Sequence, residues 1–279
     1  MKESLCIATY ASGREYLEFI PVYIYSILKS YPDYEVVIFC AENLPDNIRN
    51  SLSYIEGMGA FSVEEGYLKH VPSGFDKRNS AACRRWFVYS QKFKEYKYLY
   101  IGDIDVFILP EEMPIHEQHL RHCEAINLDY SNVRRRTNGK RVSGLHFIKT
   151  EAYLESMLPV LEKYKRLYND NQLHHYENDE YMLFDIISES GLGLCPRAIA
   201  GEWIDPADSS FRPVHGVHLA VFRDFFVKKR RFRSKSFRAS MRKLQLIVKD
   251  PVFKKIEQNF EAKMIKRIFK RVHTYDFSD

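Results

Sequence analysis

The sequence predicts an α/β protein, a mixed, mainly parallel sheet flanked by helices, with a basic helical extension at the C-terminus. Three observations carry this. From Leu5 onward, short apolar runs rich in β-branched and aromatic residues alternate with stretches of helical spacing, the pattern of parallel strands joined by crossover helices. The stretch Tyr96–Pro110 (YKYLYIGDIDVFILP) places two aspartates one residue apart between two apolar runs. Finally, the charge changes sign along the chain. From Val221 to the end there are 18 Lys/Arg against 6 Asp/Glu, whereas the first 220 residues carry 24 against 31.

Leu5–Thr9 reads as a first strand that opens into a polar turn. Tyr16–Tyr31 follows with Phe19, Ile20, Tyr23, Ile24, Ile27 and Leu28 at helical spacing. Val36–Cys40 is a second buried strand, and Leu44–Ile55 a helix started near Asp46. A charged, glycine-containing loop runs to Asn79. Ser80–Tyr96 reads as one helix capped by Asn79 or Ser80, feeding the strand Tyr98–Ile101. Cys123–Leu128 is a further short strand, and Ser131–Arg141 (SNVRRRTNGKR) a basic loop that either lies over a pocket or is disordered without ligand. Ser143–Ile148 is strand-like, Glu151–Tyr168 helical, and Tyr176–Ser190 a second helix with Asn178 or Asp179 at its start and Gly191 past its end. Pro213–Val221 closes the domain as a strand. Val252–Val272 reads as one basic amphipathic helix, with Ile256, Phe260, Ile265, Ile268 and Phe269 on one face. The expected organisation is a catalytic domain over residues 1–221 and a basic extension over 222–279.

The 279 residues, 45% hydrophobic and 28% charged, suit one sizeable α/β core. No apolar run approaches the ~20 residues of a membrane span. The N-terminal MKESLCIATYA is too short and too acidic for a signal peptide. Five cysteines, an odd number lying mostly in apolar runs, read as reduced core residues of a cytosolic protein.

Asp103 and Asp105 are the chemical centre of this reading. Carboxylates at the C-terminal end of a buried strand sit where open α/β sheets place their ligands. Flanked by core, such a pair needs a cation or donors nearby, and oxygen ligands suit Mg²⁺ or Mn²⁺, which hold phosphate oxygens. The bland alternative is a solvated turn. The basic tail fits an anionic membrane surface first and nucleic acid second; a solvated helical face packed on the domain is the third reading.

The order of these motifs resembles GT-A fold nucleotide-sugar glycosyltransferases, and among them, remotely, the family-8 group of glycogenin and the lipooligosaccharide galactosyltransferases, over Leu5–Val221. The resemblance implies that Ala8, Thr9 and Tyr10 hold the nucleotide base, and that Arg84 or Arg85 meets the donor, with Lys77 and Asn79 upstream as further candidates. It implies that Asp103 and Asp105 bind Mn²⁺ or Mg²⁺, Asp103 also reaching the ribose, and that Ser143 and Gly144 line the sugar pocket. Asp179, with Glu180 beside it, takes the place of the carboxylate nearest the anomeric carbon. The metal's histidine is His218, with His215 as the other choice. Family members follow that histidine with a glycine, then a lysine before Pro-Trp. This chain reads HGVHLAVFRD instead, which leaves the histidine open and makes Arg223 the nearest cation to the missing lysine. His146 and Trp203 are candidate acceptor-side rings, with ordinary packing the blander reading.

The resulting expectation is a metal-dependent hexosyltransferase, retaining rather than inverting and of galactose type. It would use a UDP-sugar donor and a bacterial cell-surface polysaccharide or lipopolysaccharide acceptor, and act in the cytoplasm or at the inner face of the membrane. Nucleic acid is not the expected partner. The alternatives are a nucleotidyl- or phosphotransferase, against which the lack of a glycine-rich phosphate loop argues, and a binding protein led by the tail.

Overall fold

The computed structural model describes residues 1–71, 82–131, 142, 146–176, 178–194, 215–223 and 235–275. Lys77, Asn79, Ser143, Gly144 and Trp203 lie outside them, as does most of the basic loop expected over Ser131–Arg141.

The mixed, mainly parallel sheet is present. Strands β1 (Lys2–Ala11), β2 (Glu35–Cys40), β3 (Phe61–Glu65), β4 (Tyr96–Ile101), β6 (Tyr130–Ser131) and β7 (His146–Lys149) lie in the order β3-β2-β1-β4-β7-β6. The pairs β1–β2, β1–β4 and β2–β3 are parallel, and β7 runs antiparallel between β4 and β6. Period-two alternation divides the core across the sheet. Leu5, Ile7, Val36, Ile38 and Tyr100 point into one apolar layer, and Cys6, Ala8, Val37, Phe39, Leu99 and Ile101 into the other. The first layer is covered by α1 (Arg14–Leu17), α2 (Phe19–Ser30) and α3 (Asp46–Ser53). The second is covered by α5 (Thr150–Ala152), a π-helical turn (Tyr153–Met157), α6 (Leu158–Asn169) and α7 (Asp179–Ser190). A separate two-stranded ribbon pairs β5 (Val106–Ile108) with β8 (Gly216–His218).

Several elements depart from the sequence expectation. Phe61–Glu65, read as loop, is the parallel edge strand β3; its residues are all half-buried and carry no apolar run. Cys123–Leu128, read as a strand, lies at the end of helix α4 (Ile115–Ile126) and its cap. Ile115, His119, His122 and Cys123 form its buried face, and two of those four are histidines, which hid the helical period. Asn127 in the left-handed conformation, φ 52°, ends it.

The single helix expected over Ser80–Tyr96 is, among described residues, a helical turn at 82–84, a 3₁₀ turn (Arg85–Phe87), extended residues at 88–90 and a second 3₁₀ segment (Gln91–Glu95). Trp86, Phe87, Val88 and Phe93 along it are all buried. Side-chain hydroxyls take up the freed carbonyls: Tyr67 Oη donates to Phe87 O at 2.9 Å and Tyr153 Oη to Val88 O at 2.8 Å. The strand expected over Pro213–Val221 reduces to β8, followed by a 3₁₀ turn (Leu219–Phe222).

The tail forms α8 (Lys235–Ile247), α9 (Pro251–Gln258) and α10 (Lys263–His273), so the one amphipathic helix expected over Val252–Val272 is two. Its apolar face is already covered. Phe253, Ile256, Ile265, Ile268, Phe269 and Val272 are fully buried in the same layer as α2. The break between α9 and α10 is where Glu18, itself buried, accepts the Ala262 N–H at 2.7 Å and the Glu261 N–H at 3.0 Å. Burial pushes the Glu18 carboxyl above its ordinary range, and these two amides oppose the shift. Lys29 closes the other side on Asp250 at 2.7 Å. No helix of the described residues is long and apolar enough to cross a membrane.

One glycine is required by the packing of the ribbon. A Cβ at Gly216 would fall on the Phe107 carbonyl of the paired strand. Gly216→Ala should therefore cost about 1–3 kcal/mol, a fall in Tm of roughly 3–10 °C in a thermal melt. An unchanged Tm would mean that β5 and β8 are not paired as described.

Candidate functional site

β4 ends beside its parallel neighbour β1, which runs three residues further, to Ala11. Ala8 lies opposite Ile101, the Gly102 N–H donates to Ala8 O at 3.2 Å, and the Thr9 hydroxyl donates to Gly102 O at 2.7 Å. Gly102 thus carries the chain off the sheet edge, and Asp103, Ile104 and Asp105 form the turn into β5. Ile104, buried at 6% exposure, pins that turn into the core and Asp105 is equally buried. The antiparallel ribbon then sets β8 beside it. Val106 faces His218, and the Leu219 N–H donates to Asp105 O at 2.7 Å.

These constraints bring together a ladder of charges. Asp103 gives one carboxylate oxygen to Arg85 and turns the other toward His218 Nε2, at 3.8 Å. Asp105 turns one oxygen toward His218 Nε2 at 3.4 Å and gives the other to Arg223 Nη2 at 2.8 Å. Arg85 reaches onward to Asp179 Oδ2 at 2.6 Å, where the Trp86 indole N–H also donates at 3.1 Å. Arg223 reaches onward to the Tyr16 hydroxyl at 2.9 Å and lies over its ring, 5.1 Å from the centroid. The order through space is Asp179, Arg85, Asp103, His218, Asp105, Arg223, Tyr16, and it draws on five separate parts of the chain. Behind it, Arg271 of α10 donates to the carbonyls of Phe222 and Arg223, the latter at 3.2 Å. The tail thereby supports the site from the far side.

Asp179 is not the cap of its helix. Asn178 fills that role, its side-chain oxygen accepting the N–H groups of Glu180 at 3.1 Å and Tyr181 at 3.2 Å. Asp179 is left to the arginine and the indole. Glu180 stands half-buried beside it. Of the other candidates, Arg84 donates to Leu68 O at 2.8 Å and to the Ser12 hydroxyl at 3.4 Å, and lies over the Tyr10 ring at 5.1 Å. Tyr10, Ser12, Leu68 and Arg84 therefore meet at the end of β1, while Ala8 and Thr9 are fully buried beneath them.

His218 is the histidine that faces the aspartates. His215 points into the core, where its Nε2 meets His119 Nε2 at 2.9 Å. His146 is also fully buried, hydrogen-bonded through Nδ1 to the Tyr130 hydroxyl and edge-on to Trp86 at 4.6 Å, so its role here is packing. Sequence reasoning missed Trp86 and Tyr16. The signal for Trp86 was its place directly after the arginine pair in RRWF; Tyr16 carried none.

Two carboxylates and an imidazole turned toward one another fit a hard divalent cation by their donor chemistry. Asp103, Asp105 and His218 would hold it. Among the described residues no three His, Cys, Asp or Glu side chains stand in a finished metal-binding arrangement. Asp103 Oδ2 and Asp105 Oδ1 stand 3.8 and 3.4 Å from His218 Nε2, and each aspartate keeps its other oxygen on an arginine. The described cysteines, Cys6, Cys40, Cys83 and Cys123, are buried free thiols.

No protein-family model and no curated protein matches this chain. It is similar in fold to solved glycosyltransferases. One is core-mannan synthase A from Aspergillus fumigatus in its manganese and GDP form, at 10% identity and TM-score 0.41 over 67% of this chain and 70% of that one. A second is the galactosyltransferase LgtC in complex with donor and acceptor sugar analogues, at 13% identity and TM-score 0.40 over 64% and 69%. A third is the bifunctional glycosyltransferase WbbM, at 12% identity and TM-score 0.44, where 96% of this chain covers 51% of that protein.

A second buried polar group lies beneath the ribbon. The Ser131 hydroxyl meets His119 Nδ1 at 2.8 Å and His122 Nδ1 at 2.6 Å. A hydroxyl has one proton to donate, so at least one of the two imidazoles must present an N–H. Burial pushes His119 well below 6.5 and His122 down to about 4. The unfolded chain therefore takes up protons below pH 6.5 that the folded protein refuses. Stability should fall as pH drops from about 6.5 toward 4, and His122→Gln should reduce that slope in melts recorded across the range. An equal slope in both proteins would remove His122 as its source.

Proposed function

We propose that this protein is a metal-dependent glycosyltransferase, transferring a hexose from a UDP-sugar to a bacterial surface glycan or lipid-linked glycan. The observation that carries the reading is the ladder at the C-terminal edge of the parallel sheet. There two aspartates and a histidine face one another while two arginines hold the outer oxygens. Leaving-group departure from a nucleotide sugar builds negative charge on a diphosphate, and a divalent ion, when bound, neutralises it. Around that ion, Arg85 and Arg223 keep the aspartates in place and offer guanidinium groups at diphosphate distance from them. Arg84, Tyr10 and Ser12, at the end of β1, fit the nucleoside. Asp179 fits the sugar side. With Arg85 and the Trp86 N–H both on Oδ2, it serves better as a fixed negative charge beside developing oxocarbenium character than as a proton acceptor. That favours retention of configuration over inversion, and Glu180 stays secondary.

The test is a donor panel. UDP-, GDP- and CMP-sugars are incubated with the purified protein in Mn²⁺, Mg²⁺ or EDTA, and nucleotide release is measured. Release of UDP from one donor only with metal is expected. Asp105→Ala should lower it at least about a hundredfold. Metal-dependent turnover that survives this substitution would sink the site assignment.

Attachment to an anionic membrane surface rests on a different observation. Lys263, Lys266, Arg267 and Lys270 form one exposed row on α10, opposite a face that is fully packed. Binding through such a row would be electrostatic, at about 1 kcal/mol per cation, without insertion. Co-sedimentation with phosphatidylglycerol vesicles should fall steeply between 0.05 and 0.5 M salt, taken as roughly the range over which screening becomes severe, and should be lost when all four are changed to Glu. Equal binding to neutral phosphatidylcholine would exclude this attachment.

A further inference from the structure

We propose that Trp86 is a positioning residue that aims Asp179 at the reacting sugar. This rests on the function proposed above. Trp86 is the largest fully buried side chain of the described residues. An indole offers one donor and no acceptor, so once buried its N–H must find an oxygen. Here it finds Asp179 Oδ2, at 3.1 Å. The same ring lies beneath the Arg85 guanidinium, 4.5 Å from its centroid, so one side chain orients both groups that define the far end of the ladder. The ring itself cannot turn. His146 abuts it edge-on, with an interplanar angle of 87°, and His146 is stacked in turn on Tyr130, centroids 5.4 Å apart.

Arg85 and Trp86 are consecutive residues of the 3₁₀ turn Arg85–Phe87, and both donate to one carboxylate oxygen, Asp179 Oδ2, at 2.6 and 3.1 Å. Because Asn178 caps the helix, Asp179 has no competing bond to its own helix start among the cap contacts. Its direction is set from across the domain, by a residue that need not touch substrate.

The experiment is a double-mutant cycle on the full chain with the donor identified by the panel: wild type, Trp86→Phe, Asp179→Asn and the double variant. Phe keeps the ring and removes the N–H. Trp86→Phe should lower kcat roughly ten- to a hundredfold with donor KM held within about twofold, and it should cost nothing further in the Asp179→Asn background. Equal losses in both backgrounds, a loss confined to KM, or no loss would overturn the inference and leave Trp86 a packing residue. If Trp86→Phe does not fold, ¹⁵N spectra decide. The chain has 2 tryptophans, so Trp203→Phe leaves a single indole signal. That signal must move upfield on adding Asp179→Asn; an unmoved signal overturns the inference. A wild type that turns over no donor sinks the proposed function itself, whereas an active wild type with an unaffected Trp86→Phe sinks only this step.

Discussion

Carboxylates that leave water need cations, and the site is organised by that requirement. Asp105 and Asp179 are buried to under a tenth exposure, and an unpaired charge at such positions costs several kcal/mol. The two central carboxylates are each shared between basic neighbours, Asp103 between Arg85 and His218 and Asp105 between His218 and Arg223, while Asp179 takes Arg85 and the Trp86 N–H. The geometry near His218 is looser than at the arginines, 3.4 and 3.8 Å against 2.8 Å at Arg223. The inner oxygens face the imidazole and the outer ones the guanidiniums.

The ladder depends in turn on strand ends. β4 stops opposite Ala8 while parallel β1 runs on to Ala11, which delivers Gly102 and then Asp103 to the C-terminal edge of the sheet. The β5–β8 ribbon then fixes His218 opposite Val106, next to Asp105. A slip of one residue in that ribbon would turn His218 to the other face, and the close approach at Gly216 opposes such a slip. The buried imidazoles of His119 and His215 tie the start of β8 to α4, so the ribbon's position is held from beneath as well.

The tail has become part of the same core. Phe253, Ile265, Ile268 and Phe269 pack in the layer that holds α2, and Glu18 caps the start of α10 from inside the domain. Arg271 then holds the backbone of Arg223, which holds Asp105. Through Arg271 and Arg223 the candidate site is tied to a segment whose composition reads as a separate basic appendage.

By itself the sequence determined the α/β class, the position of the paired aspartates at a strand end, the helix that begins near Asp179 and the amphipathic character of the tail. All of these follow from local pattern: period two in buried strands, helical spacing, a glycine after Ile101, a run of alternating cations and apolar residues. Tertiary structure decided the rest because those choices are made by distant partners. His218 rather than His215 faces the aspartates because antiparallel pairing with β5 sets which side each residue occupies. Asp179 is released from capping by its neighbour Asn178 and claimed by Arg85 and Trp86, more than ninety positions away, a separation at which sequence pattern carries no information about contact.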